Sequence, residues 1–505
     1  MNENKLVKAI VKKDNKQGRT DNGAKTYKSS LNACVDMFGT IAAMRQRDDA
    51  TVIKTFTNAF AEDPLKAMKI LFYVRDVRGG QGERKVVHTI FKYMATAHTE
   101  AMKKNIKLIP EFGRWDDLYV FVGTPLERKA LNLIKKQILA DMDSDTPSIC
   151  AKWVKSVNTS STQSRRLGTL TAKVLGWSAK EYRKNISALR KKINIVEQAM
   201  CSGEWNGIDY SKVTSRASMI YRDAFGKHDP KGYAKFLKDV ESGKTEIKAS
   251  TLYPYDLMRN VFGGCSGWGR SDAGMSAQPY NKTIDLQWQA LPNYVENSFN
   301  GIVIADTSGS MTCAGADGVS PMLVSLSLAA YIAERNEGIW KDTFMTFSSE
   351  PTLQTLKGSN IFEKMNSFKS IVSNTNLQAS FDLILSTAKA NKLKQKDLPE
   401  VVIVVSDMQF DSATSAGWGR SQSVTNFKAI KQQYKDAGYK KPRLVFWNVN
   451  AKGGNSPVKF DTNGTCLVSG CSPSILKTIL SGEITSPQDM MNQAIEVERY
   501  EKIKV

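Results

Sequence analysis

The sequence has few of the residues from which acid–base and soft-metal centres are usually built. It holds three histidines, His88, His98 and His228, in 505 residues. Its seven cysteines (Cys34, Cys150, Cys201, Cys265, Cys313, Cys466 and Cys471) are scattered, with no Cys-x-x-Cys pair. Such spacing gives neither a zinc site nor a disulfide framework, and reduced thiols in a cytoplasmic protein are the expectation. No run of about 18 apolar residues occurs, so no membrane span is expected. The first residues, MNENKLVKAIVKKDNKQGRT, are polar and lack the apolar core of an export signal. Carboxylates do not cluster as a two-metal nuclease requires, and no Ser-His-Asp or Cys-His set stands out. A non-enzymatic role is therefore expected.

Acidic residues are missing from one region in particular. Residues 151–200 carry 11 Lys and Arg against 2 Asp and Glu. Residues 1–300 carry 49 against 31, and residues 301–505 carry 22 against 19, so most of the net charge of +21 lies in the first part. A field of one sign confined to one half suits a polyanionic partner such as RNA. Arg165, Arg166, Lys173, Lys180, Arg183, Lys184, Arg190, Lys191 and Lys192 fall on two predicted helices around Leu175-Gly176-Trp177-Ser178, with Tyr182 among them. Lys and Arg on a shared face contact phosphates, and aromatic rings stack on unpaired bases. Solvated outer faces of amphipathic helices would give the same pattern.

What is present in the first half is helical spacing. Residues 1–29 read as a loosely ordered arm with a turn at Asp21-Asn22-Gly23. From Ser30 apolar residues recur at three and four, as in Leu31, Cys34, Val35, Phe38 and Ile41. Helices are predicted at about 51–60, 64–75, 83–97, 99–107, 115–121, 125–140, 148–156, 163–175, 178–200 and 230–240. Many helices joined by short turns over 30–260, without a strand pattern, suggest an irregular α-solenoid of HEAT-like character. Two glycine-bearing turns interrupt it. Arg75-Asp76-Val77-Arg78-Gly79-Gly80-Gln81-Gly82-Glu83-Arg84 follows no strand and contains no Gly-Lys-Ser/Thr, so it reads as an inter-helix turn with Glu83 in the first helical turn rather than as a phosphate loop. In Gly113-Arg114-Trp115-Asp116-Asp117, the aspartates are expected to cap a helix, with Trp115 in the core. Residues 261–298 read as a linker in which Trp288 docks.

From about 299 to the end the pattern changes to α/β. Ile302–Ala305 and Val401–Val405 are short apolar runs of buried-strand type, the second of five β-branched residues. Further strands are expected at 343–347, 351–356, 443–447 and 466–468, with helices at 319–336, 377–390, 423–437, 473–480 and 487–500. Alternation of this kind gives a doubly wound parallel sheet. At the carboxyl edge of such a sheet, ligands bind. Asp306-x-Ser308-x-Ser310 follows the first strand, Asp407 follows the strand 401–405, and Thr375 precedes a helix. Together they offer hard oxygen ligands from three loops, suited to Mg²⁺.

These five positions resemble the metal-ion-dependent adhesion site of the von Willebrand factor A domain. The resemblance implies a binding device in which a partner's carboxylate completes the metal shell. The whole chain, basic helices followed by such a domain, resembles the Ro autoantigen (TROVE-module) proteins. RDVRGGQGER, GRWDDL, KEYRKNISALRKKINIVEQ, SGEWNGIDYSKV, LYPYD, DTSGSM and VSDMQFD are similar to stretches of a Ro-related family of unknown function in plants, fungi, large DNA viruses and phages. This resemblance implies a helical ring closed by the A-type domain, with small structured or misfolded RNA held on basic residues of the ring. A metal-dependent protein-interaction scaffold without RNA is the alternative.

Overall fold

The computed structural model describes residues 17–263, 277–295, 300–312, 318–346, 351–367, 376–410, 426–452, 455–480 and 485–505. The chain forms two compact units. One comprises residues 1–70 with 253–501, the other residues 71–252 with 502–505. Their boundaries differ from the segments read along the sequence. Residues 30–70 belong with the C-terminal sheet, and so does the stretch 261–298, which contributes the helix Lys282–Gln289 with Trp288 fully buried.

The first unit is built on a six-stranded mixed sheet. Its strands are β3 (Gly301–Ala305), β4 (Thr343–Thr346), β5 (Thr352–Thr355), β6 (Val401–Ser406), β7 (Arg443–Asn448) and β8 (Thr465–Ser469), in the order β5-β4-β3-β6-β7-β8. All neighbours are parallel except β5, which lies antiparallel on the β4 edge. Every residue of β3 and β6 is buried, as apolar strands covered on both faces require. The helix Pro321–Arg335 is buried from Pro321 through Ala333. Ser320 caps its start by accepting from Leu323 N–H, and Ser325 Oγ donates to Val405 O at 3.1 Å, so the buried hydroxyls are satisfied.

The start of the chain completes this unit. β1 (Gln17–Arg19) and β2 (Lys25–Tyr27) form an antiparallel ribbon through the turn at 21–23, where Gly23 has φ +85. The loosely ordered arm expected over 1–29 is therefore structured in its described part. These three-residue strands carry no alternating apolar pattern, and they hold because Tyr27 pairs with Ser456. The helix Ala33–Thr40 packs on β7 and β8, with Ser469 Oγ donating to Phe38 O at 2.7 Å. A Cβ on Gly39 would stand 3.3 Å from Leu467 Cβ, so the approach is close.

The second unit is helical. Its longer members are Lys85–Ala97, Glu127–Asp143, Thr162–Leu175, Ala179–Lys192, Ser215–His228 and Pro230–Glu241. Ser215–His228 is additional to the helices expected from spacing. The single helix expected over 178–200 is broken after Lys192, where Asn194 takes φ +50, and resumes as Val196–Ser202. Among the described residues no helix of either unit is long and apolar enough to cross a membrane.

The two glycine-bearing turns meet inside this unit. Arg75, 2% exposed, donates from Nε and Nη2 to Oδ2 of the fully buried Asp117 at 2.8 and 2.6 Å. Asp117 also caps the 3₁₀ helix Trp115–Phe121 by accepting from Arg114 N–H at 2.9 Å. A Cβ at Gly113 would lie 2.4 Å from that carboxylate, and one at Gly80 1.9 Å from Tyr73 O. Glu83 sits before the helix Lys85–Ala97, not in its first turn, and Trp115 is half-buried rather than core.

Candidate functional site

The carboxyl edge of the sheet gathers four of the five candidate cation ligands. β3 and β6 are adjacent and parallel with Ala305 opposite Val405, so Asp306 and Asp407 leave the sheet side by side. Asp306 Oδ1 accepts from Ser308 N–H at 2.9 Å, and Asp306 Oδ2 accepts from Ser406 Oγ at 2.6 Å. Ser308 Oγ and Ser310 Oγ are 3.1 Å apart, and Ser310 Oγ donates to Asp407 Oδ2 at 2.9 Å. Thr375 lies outside the described residues.

Burial first, and then the neighbouring Asp407 charge, push the Asp306 carboxyl up to about 6, against the pull of its hydrogen bonds from Ser406 and Ser308. A cation beside the pair would favour the ionised form of both. Two carboxylates and two hydroxyls are hard donors, and they fit a divalent cation of the Mg²⁺ class. Among the described residues no group of three or more His, Cys, Asp or Glu is placed to hold a metal, so a cation here would rest on the two carboxylates and the hydroxyls alone.

Three participants in this rim are not evident from sequence spacing. Lys452, beyond the end of β7, places Nζ 2.9 Å from Asp407 Oδ2 and is about a quarter exposed. Its signal was available, since β7 neighbours β6 and its loop must emerge on the same edge. Ser406 supplies a hydroxyl to Asp306. Gln409 ties the rim to the chain's start: Asp21 N–H donates to Gln409 Oε1 at 2.7 Å, Asn22 Nδ2 donates to Gln409 O at 2.7 Å, and Thr20 Oγ1 donates to Phe410 O at 2.6 Å.

The basic candidates lie in the helical unit, on Thr162–Leu175 and Ala179–Lys192. Arg165, Arg166, Lys173, Lys180, Arg183, Lys184, Lys191 and Lys192 are exposed. None of the eight forms an ion pair with a described acidic residue. Ser178 and Glu181 form a capping box that starts the second helix, and Arg190, Lys191 and Lys192 fill its last turn, where cations favour the helix dipole. Arg190 differs from the rest: it is half-buried, donating from Nε to Ala151 O at 2.8 Å and from Nη2 to Val154 O at 3.0 Å. It thereby holds the short helix Cys150–Trp153 and its C-cap Val154.

Tyr182 cannot offer its ring to a base. It is 1% exposed, and its hydroxyl donates to Lys155 O at 2.9 Å. Beside it, a cleft of about 460 Å³ is lined by Ser156, Asn158, Lys180, Arg183, Lys184 and Arg190, among others. The loop in its wall packs closely on its neighbours. Lys155 N–H donates to Tyr119 Oη at 3.4 Å, and Gly168 approaches so closely that a Cβ there would lie 2.7 Å from Lys155 O.

Known sequences place the chain by family rather than by activity. Residues 300–504 match the profile described as domain of unknown function DUF7788, which begins where β3 begins. The chain is also similar to "Uncharacterized protein L728" of Acanthamoeba polyphaga mimivirus, with 28% identity over 522 residues, covering 94% of this chain and 87% of that protein. The profile described as domain of unknown function DUF2828 matches residues 20–166 and 145–298, more than half of the sequence, and the chain belongs to that family.

Proposed function

We propose that this is a Ro-like RNA-binding protein that holds small structured or misfolded RNA on the helices Thr162–Leu175 and Ala179–Lys192. The observation that carries the reading is the set of eight exposed cations on those two helices with no acidic partner, several of them rimming a nucleotide-sized cleft. Unpaired surface cations are free to neutralise phosphates, whereas cations spent in ion pairs are not. A HEAT-like solenoid closed into a ring, as in TROVE modules, would present this surface continuously to a folded RNA. A cytoplasmic location would accord with the scattered cysteines.

The test is binding of a structured RNA by the full chain across a salt series. Affinity should fall linearly on a log–log plot. Reversing Arg183, Lys184 and Lys191 to Glu should reduce the slope by about 2, at roughly 0.7 per lost phosphate contact. Many RNA sequences should be affected alike, because phosphate contacts carry no sequence information. No measurable affinity at low salt would sink the proposal.

A second reading, favoured by the Asp306–Asp407 rim, is metal-dependent partner capture by a von Willebrand factor A-like domain. A divalent cation would be held by Asp306, Ser308, Ser310 and Asp407, and would supply an open coordination position for a carboxylate of the partner. Ser406 keeps Asp306 oriented, and Lys452 offers Asp407 a competing positive charge. A protein that co-purifies and is released by EDTA and by Asp306→Ala would support this reading. Retention through both treatments would count against it.

A further inference from the structure

The Arg75–Asp117 pair is the inner half of a larger ionic cluster whose outer half faces solvent. Asp116, 4% exposed, is buried beside Asp117 and shares Arg84 with it. Arg84 Nη2 donates to Asp116 Oδ2 at 2.8 Å while its Nε donates to Asp117 Oδ1 at 2.8 Å. Arg114 donates from Nε to Asp116 Oδ1 at 3.0 Å and from Nη2 to Oδ2 at 3.2 Å, and Lys155 Nζ reaches the same Oδ2 at 3.0 Å. His88 Nε2 lies 2.8 Å from Asp117 Oδ1.

Three cationic side chains thus converge on one carboxylate oxygen. Their nitrogens are therefore neighbours, at 2.8, 3.2 and 3.0 Å from that oxygen. Arg84, Arg114 and Lys155 are 39%, 30% and 30% exposed, while the carboxylates beneath them are buried. The remaining terminal nitrogen of each guanidinium has no partner among the described residues and is not sealed from solvent.

The charges in the set these bonds join do not cancel. Arg75, Arg84, Arg114 and Lys155 face Asp116 and Asp117, which leaves two positive charges even with His88 neutral. The crowding is felt at Arg114: burial first, with the like charges of Arg84 and Arg75, draws its guanidinium below the ordinary value although Asp116 and Asp117 oppose the shift. The donors are also held in place. The Arg114 guanidinium lies 4.1 Å from the Trp153 ring centre, and the Lys155 backbone is pinned between Tyr119 and Tyr182.

We propose that Arg84, Arg114 and Lys155 form a binding site for a phosphomonoester, with Asp116 and Asp117 as its buried scaffold. A phosphomonoester carries nearly two negative charges at neutral pH and three terminal oxygens. It matches both the charge excess and the number of converging donors. A phosphodiester within a strand, with one charge and two free oxygens, matches neither. Planar guanidinium forks beside a lysine point charge are the usual protein answer to such a group. The group could come from the phosphorylated end of a nucleic-acid strand or from a mononucleotide or free phosphate. The site does not depend on the RNA surface proposed above.

The experiment uses the full chain and two probes. Inorganic phosphate should raise the melting temperature saturably, while chloride at matched ionic strength should not, because a ligand of the folded state stabilises by mass action. A short RNA with a 5′-phosphate should bind about tenfold more tightly than the same RNA with a 5′-hydroxyl, the worth of one or two charge-assisted hydrogen bonds. Lys155→Met, which leaves Arg84 and Arg114 to neutralise Asp116, should abolish both effects. Arg84→Lys should weaken both while keeping the charge. A phosphate shift without RNA end discrimination supports the site and assigns its ligand to small phosphates. Absence of any phosphate-specific shift, together with equal binding of the two RNAs, overturns the proposal. So does a shift that survives in Lys155→Met. Reversal of Arg183, Lys184 and Lys191 should leave the phosphate shift intact, so failure of the RNA surface and failure of this site are separable.

Discussion

Each compact unit buries a pair of aspartates, and the two pairs sit in opposite electrostatic surroundings. In the helical unit burial works against the Asp117 charge, but the hydrogen bond from His88 and the Arg75 charge, followed by Arg84, more than offset it and hold the carboxyl far below the ordinary range. In the sheet unit burial again leads, the neighbouring Asp407 adds to it, and the Asp306 carboxyl rises to about 6. Burial alone therefore says little about what a carboxylate is for. The count of cations around it does: an over-neutralised pair can take an anion, and an under-neutralised pair can take a cation.

The largest expected break in this comparison is Asp117→Ala. It leaves the buried Arg75 without its partner, while the more exposed Arg84 keeps Asp116, and loss of one partner of a buried pair costs about 3–5 kcal/mol. Denaturant unfolding should show the helical unit destabilised by that order, while Asp407→Ala, removing one of two crowded carboxylates, should cost far less. If both cost the same, the contrast fails.

Two glycine substitutions sharpen the same point. Gly113→Ala would drive a Cβ to within 2.4 Å of Asp117 Oδ2 and 2.8 Å of Arg75 Nε. A cost of about 1–3 kcal/mol is expected from such overpacking. Gly309→Ala, in the candidate cation loop, meets nothing within 4 Å and should be nearly neutral, within about 0.5 kcal/mol by thermal melts.

Acid titration should move the units in opposite directions. A depressed carboxyl contributes stability above its unfolded value, near 4, and that stability is lost as pH falls. Acidification should therefore weaken the Asp117 region first. A raised carboxyl binds its proton better in the folded state, so the Asp306 region should lose stability as pH rises from about 4 to about 6. Amide exchange at Leu118 and Ile304 in EDTA-treated protein reads the two separately. Equal slopes at both sites would contradict the assignment.

The smallest effect concerns Lys452. Its ammonium and a divalent cation compete for Asp407, so Lys452→Ala should tighten Mg²⁺ binding by about fivefold, the worth of roughly 1 kcal/mol for a partly exposed pair. Calorimetric titration measures it, and weaker binding would mean that Lys452 supports the site.

The parts legible in the sequence are those governed by local chemistry. Val401–Val405 announces a central strand because five β-branched residues fit little else, and Asp306-x-Ser308-x-Ser310 follows at a strand end where ligands gather. The ribbon at 17–27 was not legible, since its strands are short and polar and depend on Ser456, more than 400 residues away. The helix Lys85–Ala97 starts two residues later than the spacing suggests, because the glycines before Glu83 hide where it begins. Asp116 and Asp117 read only as helix caps, and Arg75 and Arg84 only as parts of a turn, until the fold brings the two turns together. Tyr182 looks like a stacking platform, but its hydroxyl is needed by the Lys155 carbonyl. For the ribbon, the paired turns and Tyr182 the deciding partner is remote in sequence.

The docking of the helix Ala33–Thr40 on β8 also bears on how the chain is made. Phe38 and Ser469, which hydrogen-bond, are 431 positions apart. At about 5–20 residues per second, the early helix would wait roughly 20–90 s on the ribosome for the strands it covers. The part of its surface that meets β7 and β8 would be uncovered throughout that interval, while Cys34 faces the helix Asp49–Glu62, made soon after. The helical unit has residues 71–252 contiguous and waits only for its last four, 502–505. Synthesis thus favours completion of the basic helical surface before the cation rim exists.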